Sequence, residues 1–182
     1  MVKLFKNFDD TLKGQRESDL QLSYRYICGV DEVGRGCIAG PVVAAAVILD
    51  YNALCELEPN LIRLIRDSKT LSSNQRQRIQ GTLFSIAVAS NIGESSVFEV
   101  EEQGIQKATF IAMNRAVSGL KIKPDLILVD GNQFIPNLDL PQITIVKGDS
   151  TTFCIAAASI IAKEYRDRLM AIEDDIFPDY GF

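Results

Sequence analysis

Apolar residues along the chain change period several times, and each change marks an element. Residues 25–30 (Arg-Tyr-Ile-Cys-Gly-Val) read as a strand, and residues 41–49 (Pro-Val-Val-Ala-Ala-Ala-Val-Ile-Leu) as a second one, apolar on both faces and therefore buried. The glycine-rich link between them makes a hairpin. Ser72 followed by Gln75 is a capping-box pattern that opens a short basic helix with Arg76 and Arg78, and residues 83–92 then alternate like a third strand. Ile105, Ala108, Ala112, Ala116 and Leu120 recur at helical spacing, which predicts a helix over about 101–120 that Gly119 and Pro124 close. Residues 126–129 and 143–146 are short aliphatic runs on either side of a Gly-, Asn- and Pro-containing loop, and a last helix is expected over 151–172. Residues 1–23 show weak periodicity and many charges, so they read as a loosely docked lead-in to one folded domain over 24–182. Five strands interleaved with helices in this order imply a three-layer α/β domain with a mixed sheet.

Composition narrows the chemistry. With 182 residues and 47% hydrophobic content the chain can bury a core, and with 24% charged residues it is not a disordered sequence. A net charge of -5 excludes a general affinity for phosphate backbones, so any nucleic-acid contact must be a local patch. There is no histidine, which removes the usual general base, the usual zinc ligand and every Ser-His or Cys-His nucleophile. Cys28, Cys37, Cys55 and Cys154 form no Cys-x-x-Cys pair and read as reduced thiols of a cytoplasmic protein. The longest apolar run, 37–49, contains Gly40 and Pro41 and is shorter than the roughly 20 residues of a membrane span, so no membrane association is expected.

Acid–base or metal chemistry must therefore use carboxylates. Asp31 and Glu32 follow the first strand, Asp130 ends Leu-Ile-Leu-Val-Asp, and Asp149 follows Ile-Thr-Ile-Val-Lys-Gly just before a helix. In open α/β sheets the active crevice lies where strands end, so the four can converge. Clustered like charges need cations, and oxygen ligands without His or thiolate favour Mg²⁺ or Mn²⁺. The plainer alternative is that each carboxylate caps a turn or helix, as Asp149 could for the helix after it. Neighbours in a regular strand point to opposite faces, so Asp31 and Glu32 can share one site only where the strand has ended or bent.

Gly34-Arg35-Gly36-Cys37-Ile38-Ala39 matches the dinucleotide-binding fingerprint in letters, with Asp50 and Glu56 near the place of a ribose-binding acid. Its context differs, because Gly40-Pro41 leads into an apolar strand rather than a phosphate-binding helix. Close backbone approach to a sugar or phosphate, with Arg35 as a fork of donors, suits the segment better; a plain tight turn is the alternative. Between residues 61 and 80, Arg63, Arg66, Lys69, Arg76 and Arg78 oppose Asp67 alone, a local balance of +4 that is the best candidate for a phosphate-tracking patch and otherwise a solvated helix face.

These residues resemble the type 2 ribonucleases H, the ribonuclease HII family. The resemblance rests on Gly29-Val-Asp-Glu-Val-Gly-Arg-Gly-Cys-Ile-Ala-Gly-Pro-Val-Val, on Asp67-Ser68-Lys69, on Leu128-Val-Asp-Gly-Asn132, and on Lys147-Gly-Asp-Ser150 running into Ala156-Ala-Ala-Ser-Ile-Ile-Ala-Lys163. It implies a ribonuclease H-like fold and hydrolysis of RNA paired with DNA, including cuts 5′ of single ribonucleotides embedded in duplex DNA. It assigns Asp31, Glu32, Asp130 and Asp149 as catalytic metal ligands for Mg²⁺ or Mn²⁺ in a two-metal scheme that leaves 5′-phosphate and 3′-hydroxyl ends. Gly34, Arg35 and Gly36 would read the 2′-OH, Lys69 would contact a phosphate, and the chain would act as a monomer. The family continues past the region of Phe177 to Phe182 into a segment whose tyrosine packs on the sugar at the RNA–DNA junction, and this sequence stops at Phe182. The Glu101-Glu-Gln-Gly-Ile-Gln-Lys stretch also departs from the family's Asn-Ile-Leu wording. The alternative expectation is accordingly a catalytically weak domain that binds hybrid duplex or metal without efficient turnover.

Overall fold

The computed structural model describes residues 17–66 and 71–182. In chain order the elements are α1 (Glu17–Leu20), β1 (Ile27–Val33), β2 (Val42–Leu49), α2 (Tyr51–Glu56), α3 (Pro59–Arg66), α4 (Ser73–Ile86), β3 (Ala87–Ser95), α5 (Val97–Gln103), α6 (Ile105–Ser118), β4 (Leu126–Asp130), β5 (Gln142–Ile145) and α7 (Phe153–Ile176), with a 3₁₀ turn at Gly148–Ser150. The strands form one sheet in the order β3-β2-β1-β4-β5. β1 and β2 make the expected antiparallel hairpin and β3 pairs antiparallel with β2, while β4 runs parallel to β1 and β5 parallel to β4. The mixed five-stranded α/β architecture is the one anticipated from the order of elements.

Strand alternation divides the core in two. Ile27, Val43, Ala45, Val47, Leu126 and Leu128 pack under α7 with residues from α2, α3 and α4. Cys28, Val30, Ala44, Ala46, Ile127 and Val129 pack against Ala112, Met113, Ala116 and Val117 of α6. β2 is buried along its whole length, as a strand covered on both faces must be. Gly29 and Gly93 bring helix backbone onto the sheet: a β-carbon at Gly29 would lie 2.1 Å from the Cys154 carbonyl carbon, and one at Gly93 2.1 Å from the Ala112 carbonyl oxygen.

Several boundaries differ from the pattern reading for local reasons. Residues 83–86 belong to α4, because Ile79, Leu83 and Ile86 follow helical spacing into the core; β3 starts only at Ala87. The Ser72–Gln75 capping box is present. The helix expected over about 101–120 is two helices, broken where Gly104 takes φ +82° between α5 and α6. Asp50 is the N-cap of α2, accepting from the Asn52 and Ala53 amides, and no helix follows the Gly34–Gly36 turn, so the dinucleotide fingerprint lacks its phosphate-binding helix and one of its two candidate acids is taken by a cap. All four cysteines are free, and burial pushes the Cys28 thiol up to about 12. Among the described residues no helix is long and apolar enough to cross a membrane.

The stretch read as a loosely docked lead-in contains a buried anchor. Glu17 is 3% exposed and caps α7 from a distance: its carboxylate accepts from the Phe153 amide at 3.0 Å and the Cys154 amide at 3.4 Å, and from the Tyr51 hydroxyl. Thr152, the N-cap residue of α7, makes no side-chain capping bond of its own. Replacing Glu17 by Ala should destabilise the fold by about 2 kcal/mol, because buried amides lose their acceptor. Burial also raises the Glu17 carboxyl above its ordinary 4.5. A raised carboxylate favours the folded state when protonated, so that contribution is full below pH 4.5 and is lost as pH rises through the folded value. Glu17→Gln keeps an acceptor and has no charge to bury. Its urea-unfolding free energy should therefore fall less steeply above pH 4.5 than that of the wild type; parallel profiles would rule out a titrating Glu17.

Candidate active site

β1 continues through both of its acids instead of ending before them, which corrects the sequence expectation. The two side chains accordingly take opposite faces. Asp31 shares the α7 face with Ile27 and Gly29, and Glu32 the α6 face with Cys28 and Val30. On β4, Asp130 follows Leu126 and Leu128 onto the α7 face. Asp31 and Asp130 each stand one residue beyond Val30↔Val129, the last β1–β4 pair, so they emerge side by side where the parallel ladder ends.

The turn before α7 closes on this point. The Gly148 amide donates to Asp130 Oδ1 at 2.7 Å, and a β-carbon at Gly148 would meet that same oxygen at 3.3 Å and Ile155 Cδ1 at 2.6 Å. Glycine is what lets the turn approach. It brings Asp149, 3% exposed, into the vicinity of Asp130, and Lys147 enters the turn with φ +57°. The Phe153 and Cys154 amides that open α7 donate to Glu17.

The electrostatics are those of crowded acids. Asp31 is 6% exposed, and its carboxyl is pushed well above the usual range by burial first, then by the charges of Asp130 and Glu32. Two donors oppose that push: the Ser159 hydroxyl from α7 and the Glu32 amide, which reaches Asp31 Oδ1 at 2.8 Å. Glu32 is also raised, by burial and by Asp130, against the Arg35 guanidinium, whose Nη1 lies 3.3 Å from Glu32 Oε1. Glu32, Asp130 and Arg35 line a small crevice that extends to Gln106 on α6 and to Asn132 and Gln133 after β4, where Gln106 Nε2 donates to Gln133 Oε1 at 2.8 Å.

Among the described residues no three His, Cys, Asp or Glu side chains close into a group able to enclose a metal ion. Asp31, Glu32 and Asp130 are thus close enough to feel one another's charge without closing into a finished cage. Their chemistry still fits a hard divalent cation. The donors are carboxylate oxygens alone, and at least three of them raise one another's energy in a way that a cation would offset.

The basic segment divides. Arg63 and Arg78 are exposed, whereas Arg76 is spent inside the fold, with Nε on Glu164 at 2.7 Å, Nη1 on the Leu71 carbonyl at 2.9 Å and Nη2 on Asp167 at 3.1 Å. Arg76 therefore leaves the expected phosphate-tracking patch, because it fastens α4 to α7. Lys69 and the Arg66 side chain lie outside the described residues. Ser159, Gln106 and Gln133 escaped the sequence reading. Only Ser159 gave a signal there, as a lone hydroxyl inside the Ala-Ala-Ala-Ser-Ile-Ile-Ala run.

Comparison with known proteins adds independent information. A family model described as Ribonuclease HII matches residues 28–181. Ribonuclease HII of Chlorobium chlorochromatii is 45% identical over 166 residues, spanning 91% of this chain and 80% of the relative. That of Chloroherpeton thalassium is 46% identical over 167 residues, with the same two shares, 91% and 80%. Among solved structures, the ribonuclease H2 of Pyrococcus horikoshii superposes with a TM-score of 0.74 at 26% identity, covering 86% of this chain and 79% of that one.

Proposed function

The chain belongs to the ribonuclease HII family, and from that premise we propose that it is a metal-dependent endonuclease that hydrolyses the RNA strand of RNA/DNA hybrids and cuts 5′ of ribonucleotides embedded in duplex DNA. The observation that supports this reading best is the emergence of Asp31 and Asp130 side by side at the ends of two parallel strands, with Glu32 and the Gly34–Gly36 turn adjoining. Asp31, Glu32, Asp130 and Asp149 would hold Mg²⁺ or Mn²⁺. When bound there, a pair of such ions supplies water activation and stabilises the leaving 3′-oxygen, giving 5′-phosphate and 3′-hydroxyl ends.

The remaining work falls to the protein. Ser159 and the Glu32 amide orient the Asp31 carboxylate and offset part of the burial that raises it. Gly34 and Gly36, lacking side chains, let the turn's main chain approach a ribose 2′-OH, which is the group that separates RNA from DNA. Arg35 is held by Glu32 in the free protein, and a phosphate oxygen competes for the same guanidinium once substrate arrives. Lys69 would add a phosphate contact.

Incubation with a labelled RNA/DNA hybrid should give cleavage with Mg²⁺ or Mn²⁺ and none with excess EDTA. Cleavage that survives chelation would contradict the metal role of the carboxylates. Hybrid binding without cleavage under any divalent cation would instead support the weaker reading, a domain that holds the duplex without efficient turnover.

A further inference from the structure

The turn assigned to the ribose lies in an exposed connection between β1 and β2. Arg35, Gly36, Cys37 and Ile38 are all exposed, and a bond from the Cys37 amide to the Gly34 carbonyl at 3.2 Å is the main-chain hydrogen bond within the connection. Such a loop needs support from elsewhere to hold one shape.

Arg166 of α7 supplies it from beneath. Its residue is 5% exposed, and its guanidinium donates from Nε to the Pro41 carbonyl at 3.0 Å and from Nη2 to the Ala39 carbonyl at 2.6 Å. Two glycines leave room for it. A β-carbon at Gly34 would lie 2.8 Å from Arg166 Nε, and one at Gly40 would lie 3.1 Å from Nη2. Both glycines have positive φ, +105° and +83°, which L side chains rarely adopt. The guanidinium is a rigid, permanently charged fork, so it fixes two carbonyls of the returning strand relative to α7, the helix whose Ser159 touches Asp31.

We propose that Arg166 is a positioning residue for substrate recognition: it fastens the Ala39–Pro41 end of the connection to α7 while packing beneath Gly34, and so presents Gly34, Arg35 and Gly36 to the ribonucleotide in a fixed relation to the carboxylates. This rests on the reading of that turn as the ribose contact. The main consequence is on substrate binding and discrimination, because a loosened turn must be ordered each time the duplex docks. Metal binding by the carboxylates does not depend on it.

The test compares Arg166→Met, Arg166→Lys and Arg35→Ala in the full chain. It measures KM and kcat on an RNA/DNA hybrid, Mn²⁺ affinity by calorimetry, and amide exchange across residues 35–40. Arg166→Met should raise KM for the hybrid about tenfold, the scale on which supporting residues act, and speed exchange in the loop. Mn²⁺ affinity should stay within twofold of wild type. Arg166→Lys, which keeps the charge and loses the fork, should fall between, and it carries the test if the Met variant does not fold. Unchanged KM and loop exchange in a folded Arg166 variant, while Arg35→Ala weakens hybrid binding, would overturn the proposal. If Arg35→Ala also leaves binding unchanged, the reading of the Gly34–Gly36 turn as a substrate contact fails, and the clamp proposal falls with it.

Discussion

Asp31→Asn should lower hybrid cleavage by about 10³-fold or more, while the metal-free protein melts at the same temperature or higher. The loss follows from taking away a charged oxygen ligand where charge develops in the transition state. The gain in stability has a separate origin. Asp31 is buried and raised by burial, Asp130 and Glu32, so without a cation its ionisation works against folding. With its folded value above the ordinary 3.8, the contribution of Asp31 to stability is full below pH 3.8 and is lost as pH rises through the folded value. Asparagine keeps the shape and removes that loss. Melting in EDTA at pH 8 beside cleavage with Mn²⁺ separates the effects; a variant that unfolds, or one that cuts normally, would contradict the assignment.

The second large effect is structural. Gly29→Ala should cost about 3 kcal/mol, because the added carbon would lie 2.1 Å from the Cys154 carbonyl carbon and 2.4 Å from the Ile155 amide nitrogen. Backbone cannot swing aside as a long side chain can, so β1 and α7 must separate. These elements carry Asp31 and Ser159, and the site opens with them. For a chain of this size the penalty lowers the melting temperature by ~10 °C. Gly81→Ala is the control: Gly81 lies inside α4 with nothing within 4 Å of an added carbon, and the change should stabilise by about 1 kcal/mol. Equal melting of the two variants would refute the close-contact explanation.

Much of this was legible in the sequence wherever a periodic pattern and a local signal coincided. The doubly apolar β2, the β1–β2 hairpin and the Ser72–Gln75 cap are such cases, and they sufficed for the mixed α/β sheet. The strand-end acids could be named, but their relative facing could not. Whether β1 stops before Asp31 or runs to Val33 depends on pairing with β2, a contact between segments that no local pattern reveals. The split at Gly104 was missed because every residue of the helical spacing, from Ile105 to Leu120, lies after it, so no periodic position fixed where that helix begins. Glu17, Ser159 and Arg166 were out of reach for a similar reason. Each acts on a residue more than 100 positions away, and no local pattern names that partner, although the apolar run around Ser159 marks its hydroxyl as buried. Arg76 shows the converse error, a cation that reads as surface and is tied to Glu164 and Asp167.

The most direct measurement uses a labelled DNA duplex with one internal ribonucleotide, incubated with Mg²⁺ or Mn²⁺ beside an all-DNA duplex of the same sequence. A single cut 5′ of the ribonucleotide, leaving 3′-hydroxyl and 5′-phosphate ends and no cut in the all-DNA control, is the expected result. Equal cutting of both duplexes, or none of either by protein that is folded and binds the cation, would contradict it.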